Sequence, residues 1–522
     1  MLRIPRFTPQ IPTLLIAAGL ALAPASASAG PETTDYGSAL PGFALFGWAS
    51  PPHDSTSVAR YAELAATGFN VTLVALDEQG TYSDNIERLD ASRPSGLRNL
   101  LLDNDLDDVS LSEPPSMQLA DDIAARYRDD PAFLGYYLGD EPSADFFPRL
   151  GEWFGILRTR DPAHPAWNSL CARGAFATRA DFQTYLEQYV AATHPAVLCN
   201  NQYDFQLTHD SGYLTENVAT MGAVARANGI PFWGVVQLVE HWIYRHVTDG
   251  MLRWQVAQWL AWGAHGIGYF SYWTPPPIPG YTWEPAMIDW DTGAETENYR
   301  RVAELNARVA PLGSTLAGLR WLAAEHAGSV PPGGVPFTPD TVVTAVDGRA
   351  TLGWFADTRG STYLFIANSD SLAPQTLRLT LADGRPPWRM QDAGTTWTRL
   401  TTGADGRVTL ALDAGDFTLL RFPARSSRAG VEPPRGPATP GLRVSPNPAF
   451  GRVRLDVSGA ADAARLDVVD PAGRVVWSHA VPPGASTMTW AGERGAASGV
   501  YFARLSGPGG VIVRRIAWLG GR

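Results

Sequence analysis

The chain has 522 residues, of which 45% are hydrophobic and 18% charged, a composition that excludes a disordered protein. This length predicts more than one domain. The formal net charge of −11 argues against nucleic acid as a partner.

The amino terminus has the pattern of an export signal. Two arginines precede an apolar run over 14–22, and a small-residue cleavage site ends at Ala29. The run is too short to span a bilayer, and no other segment is long and apolar enough to do so. We therefore predict a signal peptide over 1–29 and a mature protein that is secreted or held at the cell surface, with no transmembrane segment.

Strand and helix patterns alternate from about Pro41 to about Ala324. Helical periodicity separates the strand candidates, as where Leu252, Val256 and Trp259 share one face. Eight such units over about 280 residues match a (β/α)8 TIM barrel, which we place over 40–328. A doubly wound open sheet is the alternative, but no Gly-rich phosphate turn follows the first strand. The eight strand candidates are 42–48, 69–76, 97–103, 133–139, 164–170, 196–203, 230–238 and 266–273.

The pattern changes after the barrel segment. Short strands separated by turn residues, with no long helix, predict an antiparallel β-sandwich over 336–423. A Pro-, Gly- and Ser-rich stretch over 424–441 is typical of a flexible linker. Five further strand patterns over 442–522 predict a second all-β domain.

The most informative segment is FLGYYLGDEP, residues 133–142. Its apolar, aromatic run predicts a buried parallel strand, and Asp140 and Glu141 stand at the carboxyl end, where parallel α/β folds build their active sites. A carboxyl group beside a second carboxylate and aromatic rings has a raised pKa, as acid catalysis on a glycosidic bond requires. The alternative is that Asp140 or Ser143 only caps the next helix. Adjacent side chains of a regular strand point to opposite faces, so both carboxyls reach one site only if the strand bends.

Glycoside hydrolysis also requires a second carboxylate. Glu240, after the seventh strand, is the first candidate, and its alternative role is that of a solvated loop residue. Asp204, after the sixth strand, is the second candidate, and Asp77 and Glu78, after the second strand, are the third. A separation of about 5 Å from Glu141 implies retention of configuration, and about 6.5–9.5 Å implies inversion.

Polar and aromatic residues stand at the carboxyl ends of at least five predicted strands, which indicates a sugar-binding pocket. No metal- or nucleotide-binding motif occurs, so we expect no metal and no cofactor. The two cysteines, Cys171 and Cys199, fall near neighbouring strands, and both a disulfide and two free thiols remain open. The candidate substrate-binding residues are Asp140, Trp48, Asn168, Asn201, Tyr203, Gln237, His241, Tyr272 and Trp273.

Three segments of the barrel resemble a group of secreted, glycoside-hydrolase-like barrel proteins that are grouped with the β-galactosidase-like members of the large retaining clan. The segments are residues 133–170, IPFWGVVQ (230–237) and GIGYFSYWTP (266–275), in the same order as in that group. The resemblance implies a TIM barrel that acts on carbohydrate or binds it.

The resemblance also implies roles for single residues. Glu141 occupies the place of the clan's acid/base, and Asp140 stands where the clan usually has Asn. The clan's nucleophile is a Glu at the end of the seventh strand, where this chain has Gln237, which cannot act as a carboxylate nucleophile. Glu240 follows three residues later. Tyr272-Trp273 fits the aromatic floor under a sugar in this clan.

The last domain resembles the C-terminal sorting domain of bacterial type IX secretion cargo, and also the immunoglobulin-like domain of flagellar hook-capping proteins. The matching motifs are RVSPNPAFG (443–451), RLDVVDPAGRVV (465–476) and ASGVYFARL (497–505). The resemblance implies an Ig-like β-sandwich over 442–522 that a bacterial secretion machinery recognises. The tail ends in IAWLGGR and lacks the Lys-rich ending of many such domains.

The sequence therefore predicts a secreted glycoside hydrolase in which Glu141 and Glu240 are the catalytic carboxyls. The alternative, which Gln237 keeps open, is a non-catalytic carbohydrate-binding or cell-surface protein built on a degenerate hydrolase barrel.

Overall fold

The chain forms two compact units, residues 1–425 and 426–522, in the computed structural model. The predicted signal peptide, most of the predicted linker, and the candidates Asp77 and Glu78 lie outside the described residues. The structure describes residues 40–73, 81–106, 115–277, 282–391, 396–424, 441–445, 449, 452–460, 464–470, 474–482, 484–492, 496, 499–507 and 510–518.

Eight parallel strands form the first sheet, in the order β5-β4-β3-β2-β1-β8-β7-β6. A parallel bridge between Leu170 and Asn200 joins β5 to β6, so the sheet closes into a barrel. The strands of the predicted TIM barrel are thereby confirmed. They are β1 (Ala44–Gly47), β2 (Val71–Thr72), β3 (Arg98–Leu101), β4 (Phe133–Asp140), β5 (Ala166–Ser169), β6 (Leu198–Asn201), β7 (Phe232–Gln237) and β8 (Gly266–Phe270).

One α-helix follows each strand and covers the outside of the barrel. A Ser or Thr side chain caps the amino terminus of six of them and accepts a hydrogen bond from the first turn. The apolar face predicted from Leu252, Val256 and Trp259 is buried. The helices are α1 (Val58–Ala66), α2 (Tyr82–Ser92), α3 (Met117–Tyr127), α4 (Phe147–Arg160), α5 (Arg179–Thr193), α6 (Leu214–Asn228), α7 (Asp249–Ala261) and α8 (Glu297–Ala317).

Two antiparallel sheets follow the barrel, ordered β10-β13-β16 and β15-β14-β17-β12-β11-β9. Alternate apolar side chains, among them Leu352, Leu364 and Leu379, are buried in one core, which confirms a β-sandwich. The first strand begins inside the range 40–328 that the sequence pattern assigns to the barrel. The strands are β9 (Arg320–Ala327), β10 (Val343–Asp347), β11 (Ala350–Ala356), β12 (Thr362–Asn368), β13 (Gln375–Leu381), β14 (Trp388–Met390), β15 (Trp397–Arg399), β16 (Arg407–Leu412) and β17 (Phe417–Phe422).

The sandwich packs on α7, the helix that follows β7. Gln258 on α7 donates through Nε2 to Thr351 Oγ1 at 3.1 Å, and Trp321 Nε1 donates to the Ala261 carbonyl oxygen at 3.0 Å. At Gly353 a Cβ atom would lie 2.6 Å from the same carbonyl oxygen, so the strand approaches the helix only because it has no side chain there. The sandwich therefore fixes the outer layer of the barrel on the β7 side.

The described residues of the second unit form seven antiparallel strands, in sheets ordered β18-β19-β22 and β21-β20-β23-β24. Trp490 and Trp518 meet in its core with ring centroids 4.8 Å apart. The all-β content agrees with the sequence pattern, and the Ig-like sorting identity stays a prediction. The strands are β18 (Gly441–Ser445), β19 (Val453–Ala460), β20 (Ala464–Val469), β21 (Val475–Val481), β22 (Gly484–Trp490), β23 (Gly499–Gly507) and β24 (Gly510–Trp518).

Among the described residues, no helix has the length and apolar composition needed to cross a membrane.

Candidate active site

The carboxyl end of β4 contains a β-bulge that brings Asp140 and Glu141 to the rim of the barrel. The register between β4 and β5 shifts between Tyr137 and Asp140. Gly139 has a φ of +108° and Glu141 a φ of +45°, so the chain bends sharply at both residues. A bulge at a barrel rim redirects the side chains that follow it. The bend that the sequence alone left open is present.

Four hydrogen bonds hold this turn in place. The Glu141 N–H donates to the Ser169 carbonyl oxygen at 2.8 Å. The Gly139 carbonyl oxygen accepts from Asn168 Nδ2 at 3.1 Å. The Glu141 carbonyl oxygen accepts from Cys171 Sγ at 3.5 Å, and the Pro142 carbonyl oxygen accepts from Tyr185 Oη at 2.8 Å. Because these four bonds tie the turn to β5, to Cys171 and to the helix after β5, the two carboxyls are held before a ligand arrives.

Asp140 and Glu141 are exposed to solvent, yet protein surrounds both carboxyl groups closely. Desolvation is the largest cause that raises the pKa of Asp140, and the charge of Glu141 raises it further. Desolvation also raises the pKa of Glu141. The two groups titrate as a pair, and this pair retains a proton at a higher pH than an ordinary carboxyl does.

Two polar side chains lie beside the carboxyl pair. The Asn201 amide lies close enough to Glu141 to lower the pKa of that carboxyl, and the Ser169 hydroxyl has the same effect on Asp140. Asn201 Oδ1 is buried and has no hydrogen-bond partner within the described residues. An unpaired buried polar atom is costly, so this oxygen indicates a polar ligand at the site.

A first aromatic group lies in the barrel interior next to the pair. Trp48, Tyr137 and Trp167 contact one another with ring centroids 5.3 to 6.2 Å apart. Burial and the charges of Asp140 and Glu141 raise the pKa of Tyr137, which shows that its hydroxyl lies near both carboxyls. Trp48, a predicted substrate-binding residue, thus belongs to a wall that begins at the acid pair.

A second aromatic group comes from the loops that follow β6, β7 and β8. Tyr203 contacts His241 at 5.8 Å and Tyr244 at 5.3 Å between ring centroids, and His241 stacks on Trp283. Burial and the charge of Glu141 raise the pKa of Tyr244 to about 12. The pKa of Tyr203 is raised by burial and by the charges of Tyr244, Asp140 and Glu141. The predicted residues Asn201, Tyr203 and His241 are therefore brought together beside Glu141.

Three predicted residues have structural partners instead. Asn168 donates to Gly139 and accepts from Tyr189 Oη at 3.2 Å, so it supports the turn from the helix side. Gln237 is fully buried, and its Nε2 donates to the Arg245 carbonyl oxygen at 2.8 Å. Asp204 accepts from Ser211 and from backbone N–H groups at the start of α6.

Glu240 lies on the exposed loop after β7. Its Oε2 accepts from the backbone N–H of His246 at 3.0 Å, and its own N–H donates to Glu284 Oε2 at 2.9 Å. Its charge is not among the causes of the pKa shift of Asp140 or Glu141. Its role as the second carboxylate stays a prediction.

Tyr272 and Trp273 make their contacts on the α1 side of the barrel. The Arg60 guanidinium lies 5.3 Å from the Trp273 ring centroid. Burial and the charge of Glu63 raise the pKa of Tyr272, and its hydroxyl has no hydrogen-bond partner among the described residues. None of these contacts joins the two rings to the acid pair.

Cys171 and Cys199 are free thiols. Burial raises the pKa of Cys171 to about 12, and it also raises the pKa of Cys199. Both thiols are therefore unreactive at neutral pH. Cys171 serves the site as the donor to the Glu141 carbonyl oxygen.

Sequence reasoning missed four residues of the site: Trp167, Ser169, Tyr185 and Tyr244. Strand alternation carried a signal for two of them, because Trp167 and Ser169 flank Asn168 and share the opposite face of β5. Tyr185 lies on α5 and Tyr244 on a loop, and no local pattern relates either one to Glu141. Within the part of the chain that is described, no three His, Cys, Asp or Glu side chains cluster as metal ligands would.

No family model matches the chain, and no curated protein is significantly similar to it in sequence. Solved structures with similar folds include a family 39 glycoside hydrolase from Bacteroides cellulosilyticus WH2, with 12% identity over 73% of this chain and 81% of that one, and a TM-score of 0.46. A β-galactosidase from Marinomonas ef1 has 13% identity over 53% and 62%, with a TM-score of 0.40. An Anoxybacillus α-amylase has 11% identity over 74% and 99%, also with a TM-score of 0.40. Because these TM-scores are below 0.5, the barrel is identified from the pairing of its own strands, and the activities of these proteins are not inferred for this chain.

Proposed function

We propose that this protein is a secreted glycoside hydrolase and that Glu141 is its catalytic acid. The observation that carries the proposal is the carboxyl pair Asp140–Glu141, which is held at the rim of a closed parallel barrel and has raised pKa values. Active sites of such barrels lie at this end of the strands. A carboxyl that keeps its proton near neutral pH is the group that a glycosidic leaving oxygen needs.

The chemistry assigns a separate task to each neighbour. Glu141 gives its proton to the leaving oxygen as the bond from that oxygen to the anomeric carbon breaks. A water molecule then adds its hydroxyl to the anomeric carbon and returns a proton to a carboxylate. Repulsion between the two carboxylates keeps one proton on the Asp140–Glu141 pair, and the Asn201 amide stabilises the Glu141 carboxylate that remains after proton transfer. The aromatic group of Trp48, Tyr137 and Trp167 excludes water from one side.

Glu240 is the proposed second carboxylate. It adjoins His241, whose ring contacts Tyr203 next to Glu141, so its loop borders the site. The side chains of Gln237 and Asp204 are engaged in hydrogen bonds within the fold. Among the candidates that follow β6 and β7, Glu240 is the exposed residue with a carboxyl group.

The test is a screen of the full chain and of its Glu141→Gln and Glu240→Gln variants against a broad oligosaccharide panel. We expect turnover of at least one substrate by the wild type and a loss of about 10²–10⁴-fold in Glu141→Gln. Glu187→Gln, an exposed change on α5, is the control for expression and folding. Equal turnover by wild type and Glu141→Gln removes Glu141 from the mechanism.

The second candidate function is carbohydrate binding without catalysis. The engagement of Gln237 and Asp204 in structural hydrogen bonds favours it, since hydrolysis would then depend on Glu240 alone for the second carboxylate. Oligosaccharide binding by the wild type with no turnover of any bound sugar would support this function over hydrolysis.

We further propose that residues 1–29 direct export and that 442–522 are a type IX sorting domain. The support is the sequence pattern of both segments, together with the compact all-β unit over 426–522. Deletion of 442–522 should leave the protein inside a type IX-competent host while activity in cell extracts persists. Unchanged export of the deletion variant contradicts the sorting role.

A further inference from the structure

Trp242 occupies a strained and exposed position beside the proposed active site. It is the first central residue of a two-residue turn, in which His241 and Tyr244 exchange backbone hydrogen bonds of 3.1 and 2.8 Å. Its φ is +49°, whereas Ile243 is not among the residues with positive φ. Turns of this kind favour glycine at that position, and a bulky residue with positive φ is uncommon.

The fold buries the tryptophan side chain only in part. Trp242 is 55% exposed and has no aromatic or cation partner among the described residues. Strained residues that are kept without a packing reason cluster at ligand-binding sites. An exposed indole held on a rigid turn is suited to stack on the flat face of a ring.

Two more apolar side chains extend this surface. Ile243, at the tip of the same turn, is 37% exposed, and Leu207, on the loop after β6, is 57% exposed. The Leu207 N–H donates to the Ile243 carbonyl oxygen at 2.8 Å, which joins the two loops. Leu207, Trp242 and Ile243 are thus three exposed apolar residues on two adjoining loops, and we name this set the rim platform.

The rim platform is continuous with the candidate site. Both residues that flank its tip, His241 and Tyr244, pack on Tyr203, and the charge of Glu141 raises the pKa of Tyr203 and Tyr244. His241 stacks on Trp283 with ring planes 15° apart, so the base of the turn is fixed. The turn that carries Trp242 therefore borders the candidate site through His241 and Tyr244.

We propose that Trp242 is a stacking subsite for a sugar ring remote from the cleaved bond, so that the protein prefers an extended oligosaccharide to a disaccharide. This inference rests on the proposed function for the position of the bond. The sugar ring is the occupant because the platform leads from a polar, aromatic pocket and not from an apolar groove. A pyranose presents an apolar face to the indole while its hydroxyl groups stay in water.

The test uses binding, so that it does not depend on turnover. The probes are cello-, xylo-, manno-, malto- and chito-oligosaccharides of two to six units, titrated calorimetrically into full-length Glu141→Gln protein. Trp242→Gly removes the ring and also relieves the positive φ, so this variant should be at least as stable to heat as its parent. We expect it to bind tetramers and longer chains about three- to tenfold more weakly, with no change for dimers. Trp242→Tyr should restore most of the affinity.

Val513→Ala is the matched control, because Val513 is an apolar residue that is 47% exposed on β24, in the second compact unit and not in the barrel. Equal affinity of parent and Trp242→Gly for all chain lengths overturns the subsite, and so does the absence of binding to every probe. An equal loss for dimers and hexamers also overturns it. If the wild type hydrolyses an oligosaccharide but Trp242→Gly does not change the affinity, the subsite is refuted and the proposed hydrolase stands. If Trp242→Gly weakens the binding of long chains but the wild type hydrolyses none of them, only the proposed hydrolase is refuted.

Discussion

The N–H of Glu141 donates to the carbonyl oxygen of Ser169 one residue later than the regular register of their strands would give. Tyr136 N–H donates to the Pro165 carbonyl oxygen, so β4 advances five residues while β5 advances four between the two bonds. The extra residue is accommodated by the bulge at Gly139. Without it, Asp140 and Glu141 would point to opposite faces of the sheet.

Gly139→Ala should therefore impair the site through the backbone alone. A Cβ atom at Gly139 meets nothing within 4 Å, but its φ of +108° strains any other residue. We expect a loss of about 1–2 kcal/mol in the free energy of unfolding, and at least a tenfold fall in kcat. Gly406→Ala is the control, since Gly406 in the sandwich also has a positive φ and open space. Urea unfolding and initial rates measure both effects, and equal rates for the two variants would refute the role of the bulge.

Tyr185→Phe tests whether the hydrogen bonds around the turn matter for catalysis. The change removes the donor to the Pro142 carbonyl oxygen and the acceptor of the Cys171 N–H. We expect about 1–2 kcal/mol of destabilisation and a fall in kcat with little change in KM, because the carboxyls become less well positioned. Tyr299→Phe removes a similar bond, from Tyr299 Oη to the Glu63 carbonyl oxygen at 2.7 Å, and should lose stability only. A proportional loss of kcat in both variants would contradict positioning by Tyr185.

Asp140→Asn should raise stability at neutral pH while it lowers activity. The folded state raises the pKa of Asp140, so between pH 4 and that raised pKa it binds more protons than the unfolded chain does. Stability is therefore lost as the pH rises through this window. The variant avoids this loss, because the Asn side chain at position 140 does not titrate. Because solvent reaches the carboxyl, we expect a gain of only about 1 kcal/mol at pH 8, which vanishes near pH 4. Thermal unfolding from pH 4 to 8 measures it.

The control for this pH dependence is Asp129→Asn, on an exposed turn after α3. The change of stability with pH in Asp140→Asn is compared with that in this variant. The same dependence on pH in both variants would show that the Asp140 carboxyl is not held at a raised pKa.

The sequence was sufficient to predict the barrel, because the patterns that indicate its strands and helices are local. Each strand is a short apolar run, and faces such as Leu252, Val256 and Trp259 repeat with the helical period. The bulge was not predictable, since it depends on how β4 and β5 pair across 30 residues of chain. Asn168 and Gln237 were sound candidates by position, but their hydrogen-bond partners Gly139 and Arg245 come from other segments. Glu141 could be predicted because it directly follows a recognisable buried strand, whereas the position of Tyr244 beside it depends on how the loops fold.

Asn201→Ala should move the pH profile in the direction opposite to Asp140→Asn. The Asn201 amide lowers the pKa of Glu141, so its removal raises that pKa and shifts the alkaline limb of kcat/KM to higher pH. In Asp140→Asn the repulsion disappears, and the same limb shifts to lower pH. Asn201→Ala should also lower kcat about tenfold, because the carboxylate left after proton transfer loses a donor.

Asn200→Ala is the control for Asn201→Ala, one position earlier on β6. The Asn200 side chain points to the helix layer and exchanges two hydrogen bonds with Asn217, at 2.8 and 3.0 Å. Its loss leaves Asn217 Nδ2 buried without an acceptor, while Asn217 Oδ1 still accepts from the Arg173 N–H at 3.0 Å. This should cost about 1–3 kcal/mol of stability without a shift of the pH profile. If Asn200→Ala and Asn201→Ala shift the alkaline limb equally, the change comes from a general loosening of β6 and not from the Asn201 amide. Opposite shifts for Asn201→Ala and Asp140→Asn, with none for Asn200→Ala, would identify Glu141 as the group that titrates.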